Sequence, residues 1–101
     1  MRNKTIRILV KPPGKKPHVE YVRNELRSFQ NIVEGCVETV TVADDLVIIC
    51  NEEGRINGLP YNCSVMGVPF VGTIIFAGVK GDEFASCPRI NTDIWIDGGV
   101  K

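Results

Sequence analysis

The sequence contains few of the groups on which enzymes most often rely. Its 101 residues include a single histidine, His18, which excludes a metal site built from several imidazoles. The glycine-rich phosphate loops G-x-x-x-x-G-K-S/T and G-x-G-x-x-G do not occur, and neither does the serine elbow G-x-S-x-G. P-loop nucleotide hydrolysis, serine esterase chemistry and histidine-based zinc deamination are therefore excluded.

Long apolar runs are missing as well. The most apolar run, Leu46–Cys50, is far shorter than the roughly 20 residues that span a bilayer. After the basic start, only residues 8–10 are apolar before Lys11, so the apolar core of a secretory signal is not found. We expect a cytoplasmic protein that does not cross a membrane.

What is present fits one globular domain spanning residues 1–101. Hydrophobic residues make up 44% of the chain and charged residues 24%, as in ordinary folded domains, which argues against disorder, collagen or a coiled coil. A chain of this length has room for one hydrophobic core and no second.

The cysteines are spaced too widely for a zinc knuckle or a dense disulfide framework, so we expect free thiols in a reducing compartment. Cys36 and Cys50 fall on predicted strands and are expected to be small core residues. Cys63 and Cys87 fall in predicted loops, and only there would a thiol be available for activation by His18. We nevertheless expect no enzyme.

Charge is unevenly distributed along the chain, although the formal net charge is zero. Residues 1–30 hold eight basic and two acidic side chains, whereas residues 31–101 hold four basic and ten acidic ones. If the N-terminal elements share a face, they present a basic patch suited to phosphate or to an acidic partner. Alternatively, the two halves neutralise each other across the folded surface. The acidic pairs lack the spacing of a calcium loop, and we expect no metal or cofactor.

Apolar patterns predict about five strands. They are, in order, Thr5–Val10, residues 18–22, Cys36–Val42, Asp45–Cys50 and Gly72–Gly78. The first two form a hairpin around a stiff, basic, proline-rich tip. The fourth is apolar on both faces, which predicts a central strand. Gly67 and Pro69 interrupt the apolar stretch between residues 65 and 70, where no strand is predicted.

One amphipathic helix of about ten residues is predicted between the second and third strands. Asn24 is a suitable N-cap, Glu25 suits the first turn, and Gly35 is expected to end the helix. Apolar side chains recur at helical spacing at Leu26, Phe29, Ile32 and Val33.

The order β-β-α-β-β-loop-β lacks the alternation of a doubly wound parallel sheet. It predicts an α+β fold, in which a mostly antiparallel sheet of about five strands carries the helix on one face. The other face or the edges must then be covered by residues 55–70, by the tail or by another subunit. An exposed sheet edge would also allow a homo-oligomer.

The segment from Asn51 to Asn62 is the most informative part of the chain. It directly follows the predicted central strand and is rich in asparagine and glycine, which supply donors, acceptors and close backbone approach for a ligand. Alternatively, the asparagines only hold the loop in shape. The candidate ligand- or partner-binding residues are Asn51, Glu52, Gly54, Arg55, Asn57, Gly58 and Asn62, with Arg7 and Lys11 from the basic segment.

The same segment resembles a known family. The run Asn-Glu-Glu-Gly-x-x-Asn-Gly-Leu-Pro-x-Asn, with the later Gly-Thr-x-x-x-x-Gly and Gly-Asp-Glu-Phe-x-Ser, is similar to the family designated domain of unknown function 3846, over residues 6–86. The resemblance implies a small protein encoded by phages, plasmids and other bacterial mobile elements, with no established activity. Where such relatives continue into a charged helix, this chain has Cys87-Pro88-Arg89-Ile90 and Ile94-Trp95-Ile96. The matching positions are Asn51, Glu52, Gly54, Asn57, Gly58, Leu59, Pro60, Asn62, Gly72, Gly78 and Phe84.

Two classes of function follow. The first is a non-enzymatic binding module that holds an anionic small molecule, such as a nucleotide signal in counter-defence, or a host protein. The alternative is a nucleic-acid-binding accessory protein, although a sequence pI near 6.6 counts against it. Its basic residues would be Arg2, Lys4, Arg7, Lys11, Lys15 and Lys16.

Overall fold

The computed structural model describes residues 4–90 and 96–97. Within these ranges one helix follows the first two strands and the remaining elements are strands. They are β1 (Thr5–Lys11), β2 (His18–Arg23), α1 (Leu26–Val33), β3 (Val37–Ala43), β4 (Leu46–Asn51), β5 (Tyr61–Val65), β6 (Val68–Val71), β7 (Ile74–Lys80), β8 (Glu83–Ala85) and β9 (Ile96–Asp97).

The strands form two antiparallel sheets. The larger sheet has the order β2-β1-β7-β4-β3, and the short strand β8 pairs with the end of β7. The smaller sheet has the order β6-β5-β9. The α+β fold with a mostly antiparallel sheet is thus confirmed, and β4 lies inside the larger sheet as its apolar sequence predicts.

The helix packs on one face of the larger sheet. Phe29 and Val33 of α1 are buried against strands β1, β4 and β7, where Ile8, Ile49 and Ile75 lie on the same face. The ring of Phe29 also meets that of Phe84 edge to face, with centroids 5.1 Å apart. This apolar layer is what the helical spacing of the sequence predicts.

The smaller sheet packs on the opposite face and completes a three-layer arrangement. Cys63 and Val65 of β5 and Phe70 of β6 join Ile48 and Phe76 of the larger sheet in a second apolar cluster. The sequence left three candidates to cover this face, namely residues 55–70, the tail or another subunit. Residues 61–71 supply a large part of the cover.

The β5–β6 hairpin corrects the prediction that residues 65–70 form no strand. The turn between Val65 and Val68 has positive φ at both Met66 (51°) and Gly67 (84°), the turn geometry that suits the twist of hairpin strands. Pro69 lies on β6, which pairs only with β5 in the described part of the chain. Neither Gly67 nor Pro69 therefore interrupts the pairing of β5 with β6.

The ends of the helix also differ from the prediction. The N-cap position belongs to Glu25, and the Asn24 side chain instead donates a hydrogen bond to the Phe84 carbonyl (2.7 Å), far away in sequence. At the other end the left-handed residue is Glu34, with a φ of 65°, whereas the sequence predicts that Gly35 ends the helix. The helix spans 8 residues instead of about ten.

Two cysteine positions need correction as well. Cys36 lies just before β3 and is exposed, so it is not a core residue, whereas Cys50 is buried as predicted. Cys63 is buried on β5, so it does not lie in a loop. The predicted apolar segment at residues 94–95 lies outside the described residues. None of the described helical residues forms a helix long and apolar enough to cross a membrane.

Candidate functional site

The turn segment, residues 52–60, connects β4 to β5 and is held together by its own backbone. The amide of Asn57 donates to the Glu53 carbonyl (2.9 Å), and the amide of Leu59 donates to the Gly54 carbonyl (2.9 Å). Gly54 is buried, and a Cβ atom there would lie 2.8 Å from a methyl group of Val71. The segment is therefore a compact structure that packs toward β6.

Asn51, at the end of β4, faces the interior. Its Nδ2 donates to the carbonyls of Val33 (3.1 Å) and Glu34 (3.3 Å), and its Oδ1 accepts from the Glu53 amide (2.8 Å). Because a Cβ atom at Gly35 would lie 2.7 Å from this Nδ2, only glycine leaves room for the contact. Asn51 thus joins the C-terminus of α1 to the turn segment.

Lys11 and Asn62 form a second internal pair. The Lys11 side chain is 1% exposed, and its Nζ donates to Asn62 Oδ1 (2.7 Å). The Asn62 Nδ2 donates in turn to the carbonyls of Lys11 and Gly72, both at 2.7 Å. These two predicted binding residues tie β1 to β5 and are withdrawn from the surface.

The other predicted residues divide into two groups. Arg7, on β1, is half-buried and donates through Nη2 to the Cys87 carbonyl (3.1 Å), away from the turn segment. The remaining four lie exposed in the turn segment, and the structure brings two of them, Glu52 and Arg55, to a shared groove. The other two are Asn57 and Gly58.

This groove has a volume of about 290 Å³ and lies between β3, the turn segment and β6. Its charged groups are Glu38 of β3 and Glu52 and Arg55 of the turn segment. Its apolar walls come from β3, the turn segment and β6, namely Val40, Ile56, Val68, Pro69, Phe70 and Val71. Ile56 is 85% exposed although its side chain is wholly apolar.

The charges of the groove act on the thiol of Cys50, which also lines it. The pKa of Cys50 is raised to about 11, first by burial and then by the Glu38 carboxylate, while Arg55 acts in the opposite direction with the smallest effect of the three. Glu38 stands directly opposite Cys50 in the β3–β4 register. The Arg55 Nη2 donates to the Pro69 carbonyl (3.2 Å). At the Cys50 thiol, the negative charge of Glu38 thus has a larger effect on the pKa than the positive charge of Arg55.

The remaining candidates for chemistry show no activation. Burial raises the pKa of Cys63, and it raises the pKa of Cys87 to about 11, so neither thiol has the depressed pKa of a nucleophile. His18 Nε2 lies 2.7 Å from a carboxylate oxygen of Glu20, and both side chains are exposed. Among the described residues, no three His, Cys, Asp or Glu side chains are grouped to hold a metal ion.

Glu38 and Ile56 are two of the groove residues that sequence reasoning missed. An isoleucine inside a polar, asparagine-rich turn was a usable signal, because such a side chain gains nothing from water. Glu38 gave no signal, since the groove that it lines forms only when the distant strand β6 packs against β4. The groove residues come from β3, the end of β4, the turn segment and β6.

A comparison with family models matches residues 6–96 to the domain of unknown function (DUF3846). The chain belongs to the DUF3846 family. The DUF3846 match includes every residue of the groove and runs past residues 87–90, where the resemblance was expected to end. No curated protein and no solved structure matches the chain. The family is thus established, while its mobile-element setting stays a prediction.

Proposed function

We propose that this DUF3846 chain is a non-enzymatic binding module whose groove holds a segment of another protein. The observation that carries the proposal is Ile56, which is 85% exposed beside the apolar side chains that β3 and β6 contribute to the groove. Covering such a side chain is favourable by about 25 cal/mol per Å² of apolar surface removed from water. A partner is what would cover it.

The size and charge of the groove favour a peptide over a small anion. A volume of about 290 Å³ lies just below the roughly 300–1,000 Å³ typical of small-molecule sites, and it suits one or two side chains. The groove holds one guanidinium, Arg55, against the carboxylates of Glu38 and Glu52. Lys11 and Arg7, which were expected to attract an anion, are occupied elsewhere.

The same observations weaken the nucleic-acid alternative. Lys11 is buried, and Arg7 is engaged with a backbone carbonyl, so only part of the predicted basic surface is available. Lys15 and Lys16 are exposed at the tip of the β1–β2 hairpin. Two exposed lysines at one hairpin tip support weak, salt-sensitive contacts with phosphate.

The setting of the proposal comes from the family resemblance and from the thiols. A phage or plasmid protein acts inside its host, so a host protein is the partner we propose. The four cysteines are free, which suits a reducing cytoplasm. We propose no catalytic step, because the buried thiols are held protonated at neutral pH.

Peptide display on the purified protein tests this proposal. The tightest selected peptide is labelled, and its dissociation constant is measured by fluorescence anisotropy. We expect Ile56→Asp to weaken binding at least tenfold, since buried apolar anchors dominate such interfaces. The matched control is Leu26→Asp, because Leu26 is 55% exposed on α1 and lies outside the groove. Its binding is expected to equal that of the unaltered protein.

Two further measurements separate the alternatives. Titration calorimetry against a nucleotide panel detects a small anion, and a mobility-shift assay at low salt detects nucleic acid. Failure to select any peptide, or equal binding by the Ile56→Asp and unaltered proteins, would remove the peptide-binding proposal. Heat with a nucleotide that is lost in Arg55→Ala would assign the groove to an anionic small molecule instead.

A further inference from the structure

The outer edge of β3 is open beside the groove. β3 is the last strand of the larger sheet and pairs only with β4 in the described part of the chain. Its pairing is regular from Val37 to Thr41, and a bulge follows between Thr41 and Ala43. An unpaired stretch of regular strand is a template on which another chain can add.

The hydrogen-bond pattern shows which backbone groups are available on this edge. The Glu52 amide donates to the Cys36 carbonyl (2.8 Å), next to the Val37–Asn51 pair. Hydrogen-bonded and non-bonded pairs alternate along an antiparallel ladder. Cys36 and Glu52 are thus a hydrogen-bonded pair, and the Val37–Asn51 pair beside them is a non-bonded one. The same alternation leaves the amide and carbonyl groups of Val37, Thr39 and Thr41 pointing away from β4.

The strand across the groove does not offer an equivalent edge. Pro69 of β6 has no amide hydrogen, and its carbonyl accepts from Arg55 (3.2 Å). Proline and a charged side chain are usual means of blocking a strand edge. The other outer strand of the larger sheet, β2, is separated from β3 by β1, β7 and β4. Among the described residues near the groove, β3 is thus the strand whose edge is left open.

We propose that the partner segment binds as an additional strand on the free edge of β3, with alternate side chains over the groove and a lysine or arginine beside Glu38. This inference rests on the proposed function and specifies its geometry. Glu38 and Val40 project to the face that the smaller sheet covers, where both line the groove. Side chains on the same face of an added strand would lie directly beside them.

Charge complementarity favours a basic segment of another protein over a second copy of this chain. Glu38 and Glu52 line the groove, and Glu38 influences the Cys50 thiol more than Arg55 does. Two copies joined through β3 would bring two such acidic rims together, and like charges across strands are unfavourable. A lysine or arginine of a different protein would instead pair with Glu38.

The first test uses the tightest peptide from the display selection as probe, with single N-methyl groups placed along its backbone. Strand addition requires every second amide of the peptide, because alternate residues face the edge. We expect losses of at least tenfold at alternate positions and small changes between them. This measurement uses the unaltered protein, so it does not depend on whether a variant folds.

The second test blocks the edge of β3. Thr39→Pro removes an amide that points away from β4, so the β3–β4 pairing is retained while strand addition is prevented. We expect binding of the same peptide to fall at least tenfold. Tyr21→Pro on β2 is the matched control. The Asn24 amide donates to the Lys4 carbonyl (2.6 Å), so the next pair, Thr5–Arg23, is a non-bonded one. By the same alternation Tyr21 belongs to a non-bonded pair, and its amide also points away from β1.

The outcomes distinguish this inference from the proposed function. An N-methyl scan without alternation, or equal binding by Thr39→Pro and Tyr21→Pro, would overturn strand addition and leave groove binding intact if Ile56→Asp still matters. A concentration-dependent dimer in ultracentrifugation that Thr39→Pro abolishes would assign the edge to a second copy and likewise overturn the inference. Failure to select any peptide would remove the proposed function itself.

Discussion

Asn51 and Asn57 lie at either end of the same run of turns, yet their surroundings are opposite. Asn51 is buried and uses its donor and its acceptor internally, whereas Asn57 is exposed. An asparagine that holds a loop and one that contacts a ligand have the same composition signature, because both uses rely on the same amide. Sequence reasoning therefore named both as binding residues.

The two asparagines should respond differently to alanine. Asn51→Ala leaves the Val33 carbonyl and the Glu53 amide without their partner, and we expect a loss of about 2–3 kcal/mol in the free energy of unfolding. Asn57→Ala should change it by less than about 0.5 kcal/mol, as is usual for exposed positions. Urea denaturation of both variants measures the difference. Equal losses would show that Asn51 does not hold the helix end.

The buried pair of Lys11 and Asn62 permits a test by double-mutant cycle. Asn62→Leu leaves a buried ammonium group without its acceptor, which we expect to cost about 3–5 kcal/mol, as for breaking a buried polar pair that includes a charge. Lys11→Met removes the charge and should cost less. The double variant should be more stable than Asn62→Leu alone. Strictly additive losses in urea denaturation would contradict this coupling.

At the scale of elements, the β5–β6 turn contains a residue that is unfavourable for its conformation. Met66 has a φ of 51°, which asparagine adopts far more easily than methionine. We expect Met66→Asn to raise the free energy of unfolding by about 0.5–1 kcal/mol. Met66→Val, which is β-branched, should lower it. Thermal denaturation of the two variants decides, and a destabilised Met66→Asn protein would mean that the 59% exposed methionine has a packing role.

The elements that sequence predicted well are those whose pattern reflects burial directly. β1 alternates, β4 is apolar on both faces, and the apolar stripe of α1 packs on the sheet as expected. The β5–β6 hairpin was missed because Gly67 and Pro69 are usually breakers. In the structure Gly67 adopts the positive φ that the turn requires. Pro69 lies on β6, where its missing amide hydrogen removes no hydrogen bond to β5.

The same limit applies to the site. Glu52 and Arg55 were identified because they sit in a conspicuous local motif, and they do line the groove. Glu38 joins them only through the fold, and Lys11 and Asn62 leave the surface through a contact between residues far apart in sequence. Local patterns carry no information on such contacts, and the misplaced cap at Asn24 has the same cause.

On the scale of the whole molecule, the fold separates several basic side chains of the N-terminal segment. Lys11 is buried against Asn62, and Arg7 donates to the Cys87 carbonyl. Lys15 and Lys16 lie exposed at one end of the hairpin, while Lys4 lies at the other end. The fold therefore divides the basic side chains of residues 4–16 between the interior and the two ends of the hairpin.

The apolar layer between the two sheets makes stability depend on pH in the alkaline range. Cys50 and Cys87 both lie in this layer, and each has a pKa of about 11 against an ordinary value of 9.0. Between these values the unfolded chain loses thiol protons that the folded protein keeps. The stabilisation is complete below pH 9.0 and is lost as the pH rises toward about 11.

We therefore expect the free energy of unfolding to fall from about pH 9 upward, by at most about 1.4 kcal/mol per pH unit for each thiol. Urea denaturation across this range measures the slope. The Cys50→Ala/Cys87→Ala variant should show a smaller slope than the unaltered protein, whatever its stability at neutral pH. Cys36→Ala is the control, because Cys36 is exposed and its removal should leave the slope unchanged. Equal slopes in all three proteins would mean that the layer between the sheets does not hold these thiols away from water.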